Sequence, residues 1–156
     1  MDNHEPQEIQ VSIEQKFAGV DYEPTQFQQI VKDVSAEFGV DSASINILVV
    51  GDEKIVEVNK QFLNKDGITD VISFDLSDDK CDVRFFDIVV NAERAMRQAK
   101  KRGHDSKAEL ALYIVHGLLH NLGFDDITEE DAAKMHQMED KILTKYGFGK
   151  VYHAEA

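Results

Sequence analysis

Apolar residues along this chain recur with two different periods, and the switches between them mark out a series of elements. "EIQVSI", residues 8 to 13, alternates Ile9, Val11 and Ile13 with polar neighbours and predicts a half-buried strand. From Asp21 to Gly39 the spacing changes. Phe27, Ile30, Val31, Val34 and Phe38 fall at helical intervals, Pro24 and Thr25 open the segment and Gly39 closes it, so an amphipathic helix is expected. "SINILVV", 44 to 50, reads as a second strand. Gly51 and Asp52 then start a short helix, "DEKIVEVNKQFLN", with Ile55, Val58 and Phe62 on one face. "TDVISFDL", 69 to 76, and "DVRFFDIVVN", 82 to 91, are β-branched and aromatic runs on either side of a polar turn, and predict the third and fourth strands.

Three helices follow. "AERAMRQAKKRG" ends at Gly103. Ser106 and Glu109 have the spacing of a capping box, which starts the next helix. That helix carries Leu110, Ile114, Leu118 and Leu122 toward a core, and Leu112, Val115 and Leu119 widen its apolar face until it is apolar almost all round, as a central buried helix would be. Thr128 and Asp131 cap a last helix that stops at Gly147. Strand, helix, strand, helix, two strands and then helices predict an α+β fold: a small four-stranded mixed sheet packed with about five helices, the fourth of them central. The 156 residues suit one domain, with residues 1–7 as a loose tail.

Composition narrows the classes. Apolar residues are 42% and charged residues 30% of the chain, a globular balance. No apolar run is long enough to span a bilayer, so no membrane partner is expected. The opening "MDNHEPQEIQ" has neither the basic nor the apolar region of a signal peptide. Cys81 is the single cysteine, which excludes an intramolecular disulfide and a thiolate metal cage and suits a reducing cytoplasm. The net charge of −13 argues against nonspecific polyanion binding. One stretch runs against it: "RAMRQAKKRGHDSK", 94 to 107, sets Arg94, Arg97, Lys100, Lys101, Arg102 and Lys107 against the single acid Asp105. Such a run is ordinarily a solvated helix face; its sharper reading is a phosphate-contacting patch on an acidic body.

The candidate chemistry lies in "HGLLHNLGFDD", 116 to 126. His116 and His120 are one helical turn apart on one face, a spacing at which two imidazoles can hold one transition metal. Gly123 permits a positive φ and a reversal that brings Asp125 or Asp126 back under them. Three ligands with an open fourth position can acidify a bound water or polarise a phosphoryl oxygen. A lone histidine on an apolar helix is most often a core residue with one hydrogen bond. Two histidines on the most apolar helix, both costly to bury without partners and followed by a glycine and two acids, favour the metal. A zinc peptidase would need a glutamate after the first histidine as general base; position 117 is glycine, which moves no proton, so peptide hydrolysis is disfavoured.

These residues resemble the signature of the YbeY family of ribosomal RNA-maturation endoribonucleases. The family pattern, His-Gly-x-Leu-His-Leu-x-Gly-Tyr-Asp-His with a methionine about nine residues on, is matched by His116, Gly117, Leu119, His120, Gly123 and Asp125, with Phe124 for the tyrosine and Met135 in place. A second block, "NKQFLNKDGITDVISF", is similar to the family's Asn-x-x-Phe-Arg-x-Lys-Asp-x-Pro-Thr-Asp-Val-Leu-Ser-Phe, and "DIVV", 87 to 90, resembles its Gly-Asp-Ile strand without the glycine. The resemblance spans residues from about 44 to 146.

It implies a metal-dependent, single-strand-cutting endoribonuclease of the bacterial cytoplasm. Such an enzyme acts on ribosomal RNA and the small ribosomal subunit, at the 3′ end of the small-subunit RNA, and in ribosome quality control. The family metal is zinc, held by three histidines. Here the third is Asp126, so the implied ligands are His116, His120 and Asp126, and the harder carboxylate shifts the preference toward manganese or iron. The family arginine is Leu63, which leaves the catalytic residue unassigned, and the family proline is Ile68. Lys65, Arg84, Arg94, Arg97 and Lys101 are the candidate RNA contacts, because phosphates need cations somewhere on an acidic protein. The alternative is a ribosome-assembly factor with a structural metal and little or no nuclease activity, which Leu63 and Asp126 favour.

Overall fold

The structure, a computed structural model, describes residues 8–151; the segment 1–7, read above as a tail, lies outside the described residues. The elements in chain order are β1 (Ile9–Gln15), α1 (Pro24–Glu37), β2 (Ala43–Val50), α2 (Asp52–Leu63), β3 (Val71–Asp75), β4 (Arg84–Asn91), α3 (Ala92–Arg102), α4 (Ser106–Asn121) and α5 (Glu129–Lys145). The four strands form one sheet in the order β1-β2-β4-β3. β1, β2 and β4 are parallel, and β3 lies antiparallel on the outer edge of β4. The α+β expectation with five helices is met.

Register explains the two faces. Val11, Ile45 and Phe86 stand side by side, as do Ile13, Ile47 and Ile88, so the odd positions of β1 and β2 and the even positions of β4 make one apolar face. α1 and α4 pack on it, and Phe27, Ile30, Val31, Leu110, Ile114, Leu118 and Leu119 close the main core. The opposite face begins as a polar row: Ser12 Oγ donates to Asn46 Oδ1 at 2.7 Å and Asn46 Nδ2 to Asp87 Oδ1 at 3.2 Å. Its far end is apolar, where α2 covers Val50, Ile72 and Val89 with Ile55 and Val58.

Two local expectations are corrected. Phe62 does not share the buried face of Ile55 and Val58; it is 61% exposed and meets the ring of Phe74 edge-on, at 5.8 Å between centroids, on the edge strand. Ser106 and Glu109 do not form a capping box. Asp105 caps α4 by accepting from the Lys107 N–H, and Glu109 is turned into the interior, where Arg102 Nη1 at 2.8 Å compensates its charge and His104 Nε2 lies 2.7 Å from the same oxygen. Ionic compensation of a buried carboxylate outweighs the small gain of an exposed cap. The cap of α5 is as read: Thr128 Oγ1 accepts from the Asp131 N–H. No helix among the described residues is long and apolar enough to cross a membrane.

Candidate metal centre

α4 owes its position over the sheet to a glycine. A Cβ added at Gly117 would lie 2.8 Å from Val71 Cγ2 and 3.0 Å from Ile88 Cγ2, so the helix rests on β3 and β4 at a distance only glycine permits. Position 117 thus has no room for the glutamate of a peptidase. With Gly117 against the sheet, His116 and His120 project beside it, 23% and 32% exposed. α4 ends at Asn121, and Gly123 takes φ +103° while its N–H and that of Phe124 close on the carbonyls of His120 and Leu119. Phe124 then anchors the reversed chain against Phe38, edge-to-face at 5.4 Å.

The reversal separates the two aspartates. Asp125 Oδ1 accepts from the Ile127 N–H at 2.7 Å and serves the turn. Asp126 points back: its Oδ2 lies 3.6 Å from His116 Nε2 and 3.7 Å from His120 Nε2, and the two Nε2 atoms are 3.1 Å apart. Donors about 2.0–2.2 Å from a common tetrahedral centre stand about 3.3–3.6 Å from one another. The triangle His116, His120 and Asp126 therefore has the dimensions and chemistry to hold one metal ion. Asp126, at 42% exposure, leaves the cluster open on its own side.

A residue that the sequence reading missed completes the arrangement. Glu139 of α5 is fully buried and its Oε2 lies 2.5 Å from His116 Nδ1. With its proton at Nδ1 the neutral ring donates to this carboxylate and leaves the Nε2 lone pair facing His120 and Asp126, the usual way a protein orients a ligating imidazole. Burial pushes the His116 pKa down, but the Glu139 hydrogen bond and the charges of Glu139, Asp126 and Asp70 outweigh it, and the net shift is upward. The signal was present in the sequence: Met135, Glu139 and Ile142 share the buried stripe of α5, so an acid falls on an apolar helix face. A cavity of about 100 Å³ adjoins the site, lined by Asp70, Tyr113, His116, His136 and Glu139 among others.

The candidate RNA contacts are scattered. Arg94 is ion-paired with Asp70, which itself lines that cavity. Arg97 holds Asp52 through both nitrogens, at 2.5 and 3.0 Å. Lys101 is exposed on α3 and Lys65 is exposed in the loop after α2. Arg84 reaches the end of α4, bonding the Asn121 carbonyl at 3.4 Å and Asp75 at 3.1 Å while stacking on Phe86. Leu63 is 41% exposed and brings no charge to the site.

Fold and site together define a small α+β domain with a His-His-carboxylate cluster able to bind one metal ion. Comparison with known proteins makes the assignment particular. The family model described as Endoribonuclease YbeY matches residues 10–147. The chain is 35% identical over 136 residues to the Endoribonuclease YbeY of Bacillus licheniformis, covering 80% of this chain and 86% of that protein. It is 38% identical over 130 residues to the Endoribonuclease YbeY of Carboxydothermus hydrogenoformans, covering 82% and 91%. The chain belongs to the YbeY endoribonuclease family. The solution structure of a Thermotoga maritima protein shares the fold, with a TM-score of 0.55 over 96% of each chain at 19% identity.

Proposed function

We propose that this chain is a metal-dependent endoribonuclease that cuts single-stranded RNA in the cytoplasm. Its role lies in ribosomal RNA maturation, at the 3′ end of the small-subunit RNA, and in ribosome quality control. The ligands are His116, His120 and Asp126 and the metal is zinc, with manganese or iron as the alternatives a carboxylate ligand favours. The observation that carries this reading is the convergence of three donor atoms on one point, with Glu139 setting the tautomer of one of them. Family membership supports RNA as the substrate and hydrolysis as the reaction.

When bound, the ion supplies a Lewis acid for a phosphodiester oxygen. The chain's own residues do the rest. Glu139 keeps the His116 proton at Nδ1, away from the donor triangle. The exposed side at Asp126 is the entry for a strand. Arg84, Lys65, Arg94, Arg97 and Lys101 are the cations offered to the RNA backbone. Arg84 is the one of these that contacts the end of α4, one residue beyond His120. Its side chain, fixed by Asp75 and the Phe86 ring, is preorganised to meet a phosphate.

A second reading has one observation in its favour. Leu63 leaves the family's arginine position without a charge, which suits an assembly factor with a structural metal. Metal content and cleavage separate the two. Wild type is expected to hold about one ion per chain and cleave single-stranded RNA. Asp126→Ala should lose the ion, and His116→Ala should lose cleavage while keeping its thermal midpoint close to that of the metal-free wild type. Metal without cleavage in the wild type favours the assembly factor; no metal, after zinc or manganese is supplied, overturns both.

A further inference from the structure

We propose that His136 is a positioning residue of this centre: it pins the buried Glu139 carboxylate in the orientation that presents His116 to a metal. The inference rests on His116 being a ligand, as argued above.

Glu139 is fully buried, and each of its oxygens has a histidine partner. Oε2 faces His116 Nδ1 at 2.5 Å and Oε1 faces His136 Nδ1 at 2.8 Å. The carboxylate is therefore a bridge between two imidazoles, one from α4 and one from a turn earlier on its own helix. A glutamate's last torsion is soft and broadly distributed, so one hydrogen bond alone does not set the plane of the carboxylate. A second donor on the other oxygen does. With the plane fixed, Oε2 stays on His116 Nδ1, the proton stays there, and the Nε2 lone pair stays on the side of His120 and Asp126. His136 is not one of the three converging donors; it acts through Glu139.

The same contact meets an electrostatic need. A buried carboxylate costs several kcal/mol unless its lone pairs are supplied with donors. His136, at 22% exposure, brings a donor from the cavity wall to an oxygen that water does not reach.

The test uses the full chain labelled with ¹⁵N-histidine, as wild type, His136→Phe and His136→Asn. Asparagine can place an amide N–H where the imidazole Nδ1 stands; phenylalanine fills the space and donates nothing. Three quantities are read: the tautomer of His116 in the metal-free protein under conditions where the ring is neutral, zinc affinity by competition with a chromophoric chelator, and the thermal midpoint. In wild type His116 should carry its proton at Nδ1. His136→Phe should mix the two tautomers and weaken zinc binding about tenfold, at the low end for residues that orient a ligand. His136→Asn should restore both. A residue with only a packing role would move the midpoint and leave the tautomer alone.

A folded His136→Phe protein with wild-type tautomer and affinity overturns the proposal. So does a His136→Asn protein no better than His136→Phe. Should the phenylalanine not fit, His136→Ala removes the donor without adding bulk and carries the same expectations. If wild type binds no zinc, the metal reading fails. The tautomer comparison in metal-free protein still decides whether His136 governs His116.

Discussion

Two of the clusters of ionisable residues among the described residues are built to opposite ends. On α3 two arginines pair off with acids outside the helix. Arg97 grips Asp52, Arg94 takes Asp70, and Asn91 Nδ2 adds a bond to Asp52 at 2.8 Å. These bonds tie α3 to the start of α2 and to the approach to β3. At the end of α4 His116 Nε2, His120 Nε2 and Asp126 Oδ2 converge instead, 3.1 to 3.7 Å apart, and Glu139 stands behind His116. Such a trio can share protons among its members or, with both imidazoles neutral, take up a cation. Similar polar side chains thus brace the fold in one region and converge in the other as a group that could hold a metal ion. The difference lies in whether charged groups pair off between elements or converge on one point.

The largest expected effect comes from removing a converging donor. His120→Ala should lower zinc affinity by more than the roughly hundredfold that follows loss of an outer hydrogen bond. Equilibrium dialysis with metal analysis measures it; an unchanged affinity would mean that the three donors do not act as one site. Next is the glycine that sets the height of α4. Gly117→Ala should cost about 1–3 kcal/mol in urea unfolding, because Val71 and Ile88 must give way. Gly117→Glu should cost more, since it also forces a carboxylate against an apolar sheet face. A Gly117→Ala protein as stable as wild type would show that the sheet yields there.

Glu139→Gln keeps the shape but weakens the hold on the His116 Nδ1 proton, and about a 10–100-fold loss of zinc affinity is expected. The smallest effect belongs to the α3 network. The Arg97 hydrogen bond, offset in part by burial and assisted by Asn91, holds the Asp52 carboxyl below its ordinary value. A depressed folded-state pKa stabilises above the unfolded-state value, and that stability is lost as pH falls through the folded value. Asp52→Asn should therefore cost under about 1 kcal/mol at neutral pH, a difference that closes in acid, because both partners are partly solvated. Zinc affinity should not move. A change in zinc affinity in that variant would mean that the two clusters are coupled.

Much of the fold was legible because its signals are local. Alternation in β1, the helical spacing in α1 and the Thr128 cap of α5 are each written within a few residues, and each element appears where its pattern lies. Boundaries moved where a backbone group found a distant partner. The run expected to begin at Thr69 enters the sheet only at Val71, since the Thr69 and Asp70 carbonyls are taken by the Asn91 side chain and N–H. Phe62 kept its helical spacing but not its burial, because α2 covers only the Val50, Ile72 and Val89 end of that sheet face.

The sequence by itself determined the fold class, the two histidines a turn apart, the glycine that ends their helix and the family, since all of these are patterns of near neighbours along the chain. Only the tertiary structure decided which aspartate joins the histidines. Asp125 and Asp126 are adjacent in sequence, and the direction of the turn after Gly123 sends one carboxylate to the loop backbone and the other to the site. It also decided the purpose of Gly117, which depends on how closely two layers approach. The roles of Glu139 and His136 belong there too, because a carboxylate on one helix becomes an orienting group only when packing sets it 2.5 Å from an imidazole 23 residues earlier.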